Sequence, residues 1–187
     1  IISKAQSASD NAYYIQALKN KLSNGGLSDA IRITPYKQIA EVFFRWSQSI
    51  QRGEKNIINK SFYLSLANFA DPTSSFLKFN LATILSDTGN YGLSKEILDN
   101  FSNDDVFFFD SIVENSFAIE QLDSNETALE YIQQFIIDGY ANARLLKTYG
   151  SLQRSMSLFQ EAIKSYTSAI EVAKRETYTE AIWPILF

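Results

Sequence analysis

Four carboxylates stand close together near the middle of the sequence, where paired acids or oxygen ligands for a cation would do chemistry. They are Asp104, Asp105, Asp110 and Glu114. A calcium-binding loop requires oxygen ligands at alternate positions with a glycine between them, and this stretch lacks that pattern. The first two acids instead stand where a helix is expected to begin, and carboxylates there bind free backbone N–H groups and favour the helix dipole. We therefore interpret the cluster as helix capping and expect no metal site.

A hydroxyl and an amine with helical spacing are present at Ser151 and Lys147, four residues apart. The chain contains no His and no Cys, so a serine nucleophile would need a lysine as its base. An exposed helix offers such a pair neither an oxyanion hole nor a dry pocket. The stretch Gly89-Asn90-Tyr91-Gly92 lacks the Lys-Ser/Thr pair that completes a phosphate-binding loop. We expect no enzymatic activity and no cofactor.

The composition argues against several functional classes. The 17 basic and 21 acidic residues give a net charge of −4, whereas a nucleic-acid binder needs a basic surface. Apolar runs such as residues 107–109 are far shorter than the roughly 20 residues of a transmembrane helix. The absence of Cys is compatible with the cytoplasm and with the periplasm. Because the chain begins with Ile1, we expect that the native N-terminus has been removed.

The elements that position these residues are helices, because the apolar pattern is helical almost throughout. Residues 10–22 place apolar side chains at three- and four-residue steps: Ala12, Ile15, Leu18 and Leu22. Gly25-Gly26 follows, and residues 27–36 read as a connector. From Ile39 onward, apolar stripes alternate with breaks at 52–54, 71–72, 88–90, 102–105, 123–125, 138–139 and around 154–155. No stretch alternates as a strand does, so the sequence predicts an all-α fold.

The predicted helices recur with a period of 34 residues. Small or short side chains recur in the second helix of each pair at Lys60, Ser94, Ala128 and Ala162. Larger residues follow four positions later at Leu64, Leu98, Ile132 and Tyr166, and a third set lies at Ala67, Phe101, Phe135 and Ala169. The first helices carry small residues at Ser47, Ala82, Ser116 and Gly150. Small residues at such positions allow two helices to cross closely.

This 34-residue helix–turn–helix with small residues at the crossings resembles the tetratricopeptide repeat. The best match is residues 143–176, where Tyr149-Gly150 stands for the Leu-Gly pair of the family. In the second helix of that unit, Ala162, Tyr166 and Ala169 stand for the Ala, aromatic and Ala positions. The unit at 109–142 matches least, with Asn115 where an apolar residue is usual.

The resemblance is to multi-repeat bacterial proteins of this type. It implies a right-handed α–α superhelix of about four repeats, at residues 40–74, 75–108, 109–142 and 143–176. An N-terminal helix and connector, residues 1–38, would precede them. Residues 177–187 would begin a further helix, which we expect to be truncated because an apolar run ends the chain.

The resemblance also implies a concave groove, lined by the first helices, that binds a protein or peptide partner. The implied groove residues are Phe44, Gln48, Phe76, Phe79, Thr83, Val113, Phe117, Glu120, Arg144, Lys147, Ser151 and Arg154. The phenylalanines would bind apolar partner side chains, and the three basic residues would bind a carboxylate. In the alternative interpretation, the phenylalanines pack in the core and the basic residues form a solvated helix face.

The sequence therefore predicts a non-catalytic interaction scaffold. One alternative is an assembly module that self-associates through the apolar end at residues 182–187. The other is an enzyme or small-ligand receptor on a helical scaffold, with Glu114 and Glu120 near Arg144 as its most plausible polar groups.

Overall fold

The computed structural model describes residues 34–50 and 54–175 of the chain. Within these ranges the protein forms eight α-helices and no strand, which confirms the predicted all-α class. The helices are α1 (Pro35–Ser49), α2 (Glu54–Ala70), α3 (Ser75–Asp87), α4 (Tyr91–Leu98), α5 (Phe108–Leu122), α6 (Asn125–Ile137), α7 (Ala143–Ser155) and α8 (Phe159–Arg175). The predicted helix at 10–22, most of the predicted connector and the predicted helix start at 177–187 lie outside the described residues.

The starts of several helices follow from side chains that bind free backbone N–H groups. The hydroxyl of Thr34 accepts the N–H of Lys37 at 3.3 Å, and Pro35 occupies the first turn, where its missing N–H costs nothing. Helix α1 therefore begins at Pro35, five residues before the predicted repeat boundary at 40. The side chains of Ser74, Ser124 and Asn142 cap α3, α6 and α7 in the same way.

Two inter-helix turns share one geometry although they lie two repeat lengths apart. Gly89 follows α3 with φ 77°, and Ser157 follows α7 with φ 63°. The next amide in each turn reaches back to the helix, Asn90 N–H to Leu85 O and Leu158 N–H to Gln153 O, both at 2.8 Å. The break predicted around 154–155 therefore lies slightly later, because α7 continues to Ser155.

The chain divides into two compact units, Ile1–Phe108 and Phe109–Phe187. In the described part of the first unit, α1 packs on α2 and α3 packs on α4, while α2 also contacts α3. One core cluster contains Ala40, Ala67 and Leu77, and another contains Leu64, Leu81 and Ile84. Phe44 of α1 packs against both clusters, so this phenylalanine joins them.

In the second unit, a buried cluster joins three consecutive helices. It contains Ile119 of α5, Ala128 and Ile132 of α6, and Leu152 of α7. Helix α7 also packs along α8. The α5–α6 hairpin does not bury these apolar residues by itself, because Leu152 of α7 completes their core.

The residues predicted as small at the helix crossings are buried at every position except Lys60. Ser47, Ala82, Ser116 and Gly150 lie on the first helices at these positions. In the second helices Ser94, Ala128 and Ala162 are buried, whereas the longer Lys60 is half-buried. The hydroxyl of Ser94 donates to the carbonyl of Ala82 at 2.8 Å, so α3 and α4 are in direct contact.

One residue of the third repeated set, Phe101, was predicted to lie in a second helix, and this prediction is wrong. Helix α4 ends at Leu98, so Phe101 lies beyond the helix rather than in it. The polar pair Asp99 and Asn100 follows Leu98, and the Asn100 side chain donates to Glu96 O at 2.7 Å. Side chains that bond to the backbone in this way favour helix ends and turns.

No helix of the described ranges is both long and apolar enough to span a membrane.

Candidate functional site

The second unit carries the basic residues of the predicted groove on one side of α7. Leu145, Leu146 and Leu152 are buried, while Arg144 and Arg154 are exposed. Lys147 and Ser151 are half-buried. Since buried and exposed residues alternate at helical spacing, α7 is amphipathic, and the basic residues lie on its polar face.

An ion pair joins the first helices of successive hairpins in this unit. Arg144 of α7 pairs with the carboxylate of Asp110 of α5, which is only 4% exposed. The two residues are one repeat length apart, so they occupy equivalent positions. The positive charge of Arg144 is therefore engaged by a buried acid of the protein. Among residues 34–50 and 54–175, neither Lys147 nor Arg154 forms an ion pair.

The Ser151 hydroxyl is engaged within the helix pair. It donates to the backbone oxygen of Lys147 at 3.1 Å and lies 3.2 Å from the hydroxyl of Tyr166 on α8. A serine nucleophile needs its hydroxyl beside a base. Here the hydroxyl contacts a carbonyl and a phenol, an arrangement that ties α7 to α8.

Helix α5 contributes the remaining groove residues of this unit. Val113 and Glu120 are half-buried, whereas Phe117 is 43% exposed. Ser116 lies on the buried side, where its hydroxyl donates to Val113 O at 2.7 Å. Phe117 is therefore the groove residue of α5 that offers a large apolar surface to a partner.

In the first unit, the predicted groove phenylalanines are linked by ring contacts, of which the one between Phe44 and Phe76 is edge-to-face. The ring centroids of Phe44 and Phe76 lie 5.0 Å apart, and Phe79 stacks on Phe107 at 5.0 Å. Phe76 is also 6.1 Å from Phe107. Phe44 and Phe79 are half-buried, whereas Phe76 is 44% exposed. Part of the aromatic set therefore packs inside the unit, and Phe76 presents its ring at the surface.

The two polar groove residues of the first unit differ in exposure. Gln48 is exposed at the end of α1. Thr83 is half-buried, and its hydroxyl donates to Phe79 O at 3.0 Å. Hydroxyl bonds of this kind occupy the donor within its own helix. Gln48 and Phe76 are thus the groove residues of this unit with the greatest access to a partner.

Asp104 and Asp105, near the middle of the sequence, accept hydrogen bonds from neighbouring parts of the chain and from α3. Asp105 accepts the N–H of Phe107 at 2.9 Å and the hydroxyl of Ser75. Asp104 accepts the hydroxyl of Ser102. Within the part of the chain that is described, no three potential metal-ligating side chains form a group.

One exposed apolar surface, on α1, was not predicted from the sequence. Ile39, Val42 and Trp46 are exposed on α1, roughly 80–160° around the helix from Ala40 and Ser47, which are buried. Apolar residues recur at helical spacing along both sides of α1, and this doubled stripe is the signal that reveals the surface.

The fold is similar to that of solved structures. The structure titled "MamA 41-end from Desulfovibrio magneticus RS-1" has a TM-score of 0.51 and 14% sequence identity, covering 79% of this chain and 93% of that chain. The structure titled "MamA RS-1 ArsTM double mutant" also has a TM-score of 0.51 and 14% identity, covering 78% and 82%.

No protein-family model matches the sequence, and no curated protein matches it. The similarity to MamA, a tetratricopeptide-repeat protein, therefore concerns the fold. Its basis in this chain is the succession of helix pairs with small residues buried at the crossings. The tetratricopeptide-type helical-repeat fold predicted from the 34-residue period is confirmed.

Proposed function

We propose that the protein is a non-catalytic scaffold that binds a protein or peptide partner on the faces formed by its first helices. The observation that supports this most directly is a side-chain contact between the first helices of successive hairpins in each unit. Phe44 contacts Phe76 in the first unit, and Asp110 pairs with Arg144 in the second. Such packing builds a continuous surface from short helices, which is how helical repeats present extended binding faces.

The exposed side chains on these faces have the chemistry of a peptide-binding surface. Phe76 and Phe117 are aromatic and nearly half exposed, so each can bury apolar area against a partner. Lys147 and Arg154 are cations without an ion pair among the described residues. A partner segment with apolar side chains and carboxylates fits this combination.

Two predicted groove residues are unsuitable for testing the proposal. Phe79 stacks on Phe107, and Arg144 holds the buried Asp110, so changing either one would affect stability as well as binding. Phe117 and Lys147 are better choices, because neither is buried in a core cluster.

The test compares two double variants of the full chain as baits for affinity purification from the source cells. Phe117→Ala with Lys147→Glu changes the first-helix face, and Phe159→Ala with Lys164→Glu makes the same changes on exposed residues of α8. The dissociation constant for the recovered partner should rise at least tenfold, about 1.4 kcal/mol, in the first variant only. Equal affinities of both variants would refute the proposal, provided that their circular dichroism spectra agree.

The enzyme alternative draws no support from the geometry. It relies on Glu114 and Glu120 acting near Arg144, whereas Arg144 pairs with Asp110. The assembly alternative relies on residues 182–187, which lie outside the described residues, and it remains a prediction.

A further inference from the structure

The solvent side of α2 carries a stripe of large apolar side chains. Ile58 is 66% exposed, Phe62 is 58% exposed and Phe69 is 85% exposed. Leu64 and Ala67 are buried and mark the core side of the helix. The three exposed residues lie roughly 120–180° around the helix from these two. The stripe therefore faces away from the core of the first unit.

The serines beside these residues have their hydroxyls bonded within the helix. Ser65 is exposed on the same side, and its hydroxyl donates to Ser61 O at 2.9 Å. The hydroxyl of Ser61 donates to Ile58 O at 2.8 Å. A donor that is already bonded can be covered by an apolar surface without being left unpaired. The α2 stripe, as we name this surface, consists of Ile58, Phe62, Ser65 and Phe69.

No charged residue interrupts the α2 stripe. Residues 61–70 include no Lys, Arg, Asp or Glu, and the nearby Lys60 is half-buried on the core side of the helix. The exposed apolar residues of α8 differ, because Phe159 and Ile163 stand beside the exposed Glu161 and Lys164. Like charges that meet across a contact oppose association. Two copies of the α2 stripe can therefore approach each other without this repulsion.

We propose that the α2 stripe is the contact between two copies of the chain, which pack antiparallel around a twofold axis. The four positions are spaced by four, three and four residues, a pattern that is the same in both directions along the helix. Ile58 of each copy lies opposite Phe69 of the other, and Phe62 lies opposite Ser65. The small Ser65 leaves room for the ring of Phe62 from the second copy. A twofold contact requires a surface that is complementary to itself in this way.

The exposed area is that of a weak dimer. The two phenylalanines and Ile58 expose roughly 400 Å² of side-chain surface per copy. Ring contacts extend this surface to α1, since the centroid of Tyr63 lies 5.6 Å from that of Phe62 and 5.7 Å from that of Trp46, which is 51% exposed. Two copies can thus bury roughly 1,000 Å² in total, an area typical of weak and reversible complexes.

This contact is separate from the proposed partner-binding faces. The α2 stripe lies on a second helix, whereas those faces are formed by first helices. Self-association therefore goes beyond the proposed function and does not depend on it. A dimer carries each partner-binding face twice, so a partner with two binding segments would be held more tightly than by one copy.

Sedimentation equilibrium of the full chain tests the proposal. The parent should dimerise between about 1 µM and about 500 µM, as expected for the buried area. Ile58→Asp with Phe62→Asp should raise the dissociation constant of the dimer at least tenfold. The control is Phe159→Asp with Ile163→Asp, which changes the same residue types at the same spacing and similar exposure on α8 and should leave the constant unchanged.

Circular dichroism should be the same for the parent and both variants, because all four side chains are exposed. A parent that stays monomeric over the whole concentration range would overturn the proposal. So would an unchanged dissociation constant in the α2 variant. A dimer that the α8 variant weakens as much as the α2 variant does would exclude the α2 stripe as its specific contact.

The antiparallel register has a test of its own, since the chain contains no cysteine. Chains with Ile58→Cys, mixed with Phe69→Cys chains that carry a different mass tag, should form the mixed disulfide under mild oxidation. Disulfides between like chains should be rare, because the two copies of position 58 lie roughly 16 Å apart along the helix axis in this register. A majority of like disulfides would mean parallel packing and contradict the proposal, as would the absence of the mixed disulfide.

Discussion

Gly150 on α7 lies so close to Tyr166 on α8 that a Cβ atom at position 150 would be 3.0 Å from ring atoms Cδ1 and Cε1. It would also be 3.3 Å from Cβ of Ser165. Real Cβ atoms rarely come this near to other carbons, so the absence of a side chain allows the two helices to cross. The buried Gln153, one turn along α7, reinforces the crossing by accepting the Ser165 hydroxyl at 2.7 Å.

Gly150→Ala should lower the free energy of unfolding by about 1 kcal/mol, because overpacking outweighs the better helix propensity of alanine. Gly92→Ala is the matched control, since nothing lies within 4 Å of a Cβ there. The control should be neutral or stabilise by up to about 1 kcal/mol. Urea unfolding followed by circular dichroism measures both. A gain of stability in both variants would contradict the close crossing.

Gly89 and Ser157, two of the positions with positive φ, predict opposite effects of opposite substitutions. Ser157→Gly should stabilise the protein by about 0.5–1 kcal/mol, because a serine at positive φ is strained and a glycine is not. Gly89→Ser should destabilise it by about 1 kcal/mol for the same reason. Thermal unfolding of both variants provides the comparison. Changes of the same sign would show that the two turns do not share a conformation.

Asn142 and Asn90 both precede helices, yet only Asn142 uses its side chain as a cap. Its Oδ1 accepts the N–H of Leu145 at 2.8 Å, whereas Asn90 makes no side-chain cap bond. Asn142→Ala should therefore cost about 1 kcal/mol of stability, and Asn90→Ala should cost a few tenths. Chemical unfolding distinguishes the two. A larger loss at position 90 would count against this assignment of the caps.

The ion pair between Arg144 and Asp110 predicts a stability difference between two arginines of α7. Arg144→Ala leaves the buried Asp110 carboxylate without this partner and should destabilise the protein by about 1–2 kcal/mol. Arg154 is exposed and forms no ion pair among the described residues, so Arg154→Ala should change stability by less than about 0.5 kcal/mol. Urea unfolding measures both variants. An equal loss of unfolding free energy in the two variants would count against the ion pair.

Helix α6 carries one fully buried and one exposed isoleucine. Ile132 lies in the core cluster with Ile119 and Leu152, and truncation to alanine should cost about 2–5 kcal/mol. Ile137 is 68% exposed, so Ile137→Ala should stay within about 0.5 kcal/mol of the parent. The measurement is the denaturant concentration at the unfolding midpoint, compared between variants whose m-values are equal. Similar costs at both positions would mean that the cluster does not stabilise the second unit.

The repeat could be predicted from the sequence because the requirement behind it is local and recurs. Helices that cross closely need small residues, and Ser47, Ala82, Ser116 and Gly150 supply them at nearly constant spacing. The pairing of Asp110 with Arg144 also follows the period, since the two stand one repeat apart. The spacing itself is thus the signal that relates these residues.

The division of the aromatic residues between core and surface could not be predicted. Phe76 and Phe79 both lie on α3, but only Phe79 stacks on Phe107. That contact depends on the path of the loop after α4, which a one-helix pattern does not contain. The early end of α4 at Leu98 is a second such case, because bonds from side chains to the backbone override the period there.

The composition of the core cluster in the second unit has a consequence for the rate of folding. Ile119 and Leu152, its most distant members in sequence, are separated by less than one repeat length. Contacts within one repeat length close shorter loops than contacts between distant parts of a chain, and such contacts favour faster folding. A nascent chain can therefore complete this core as soon as α7 emerges from the ribosome, without waiting for residues far downstream.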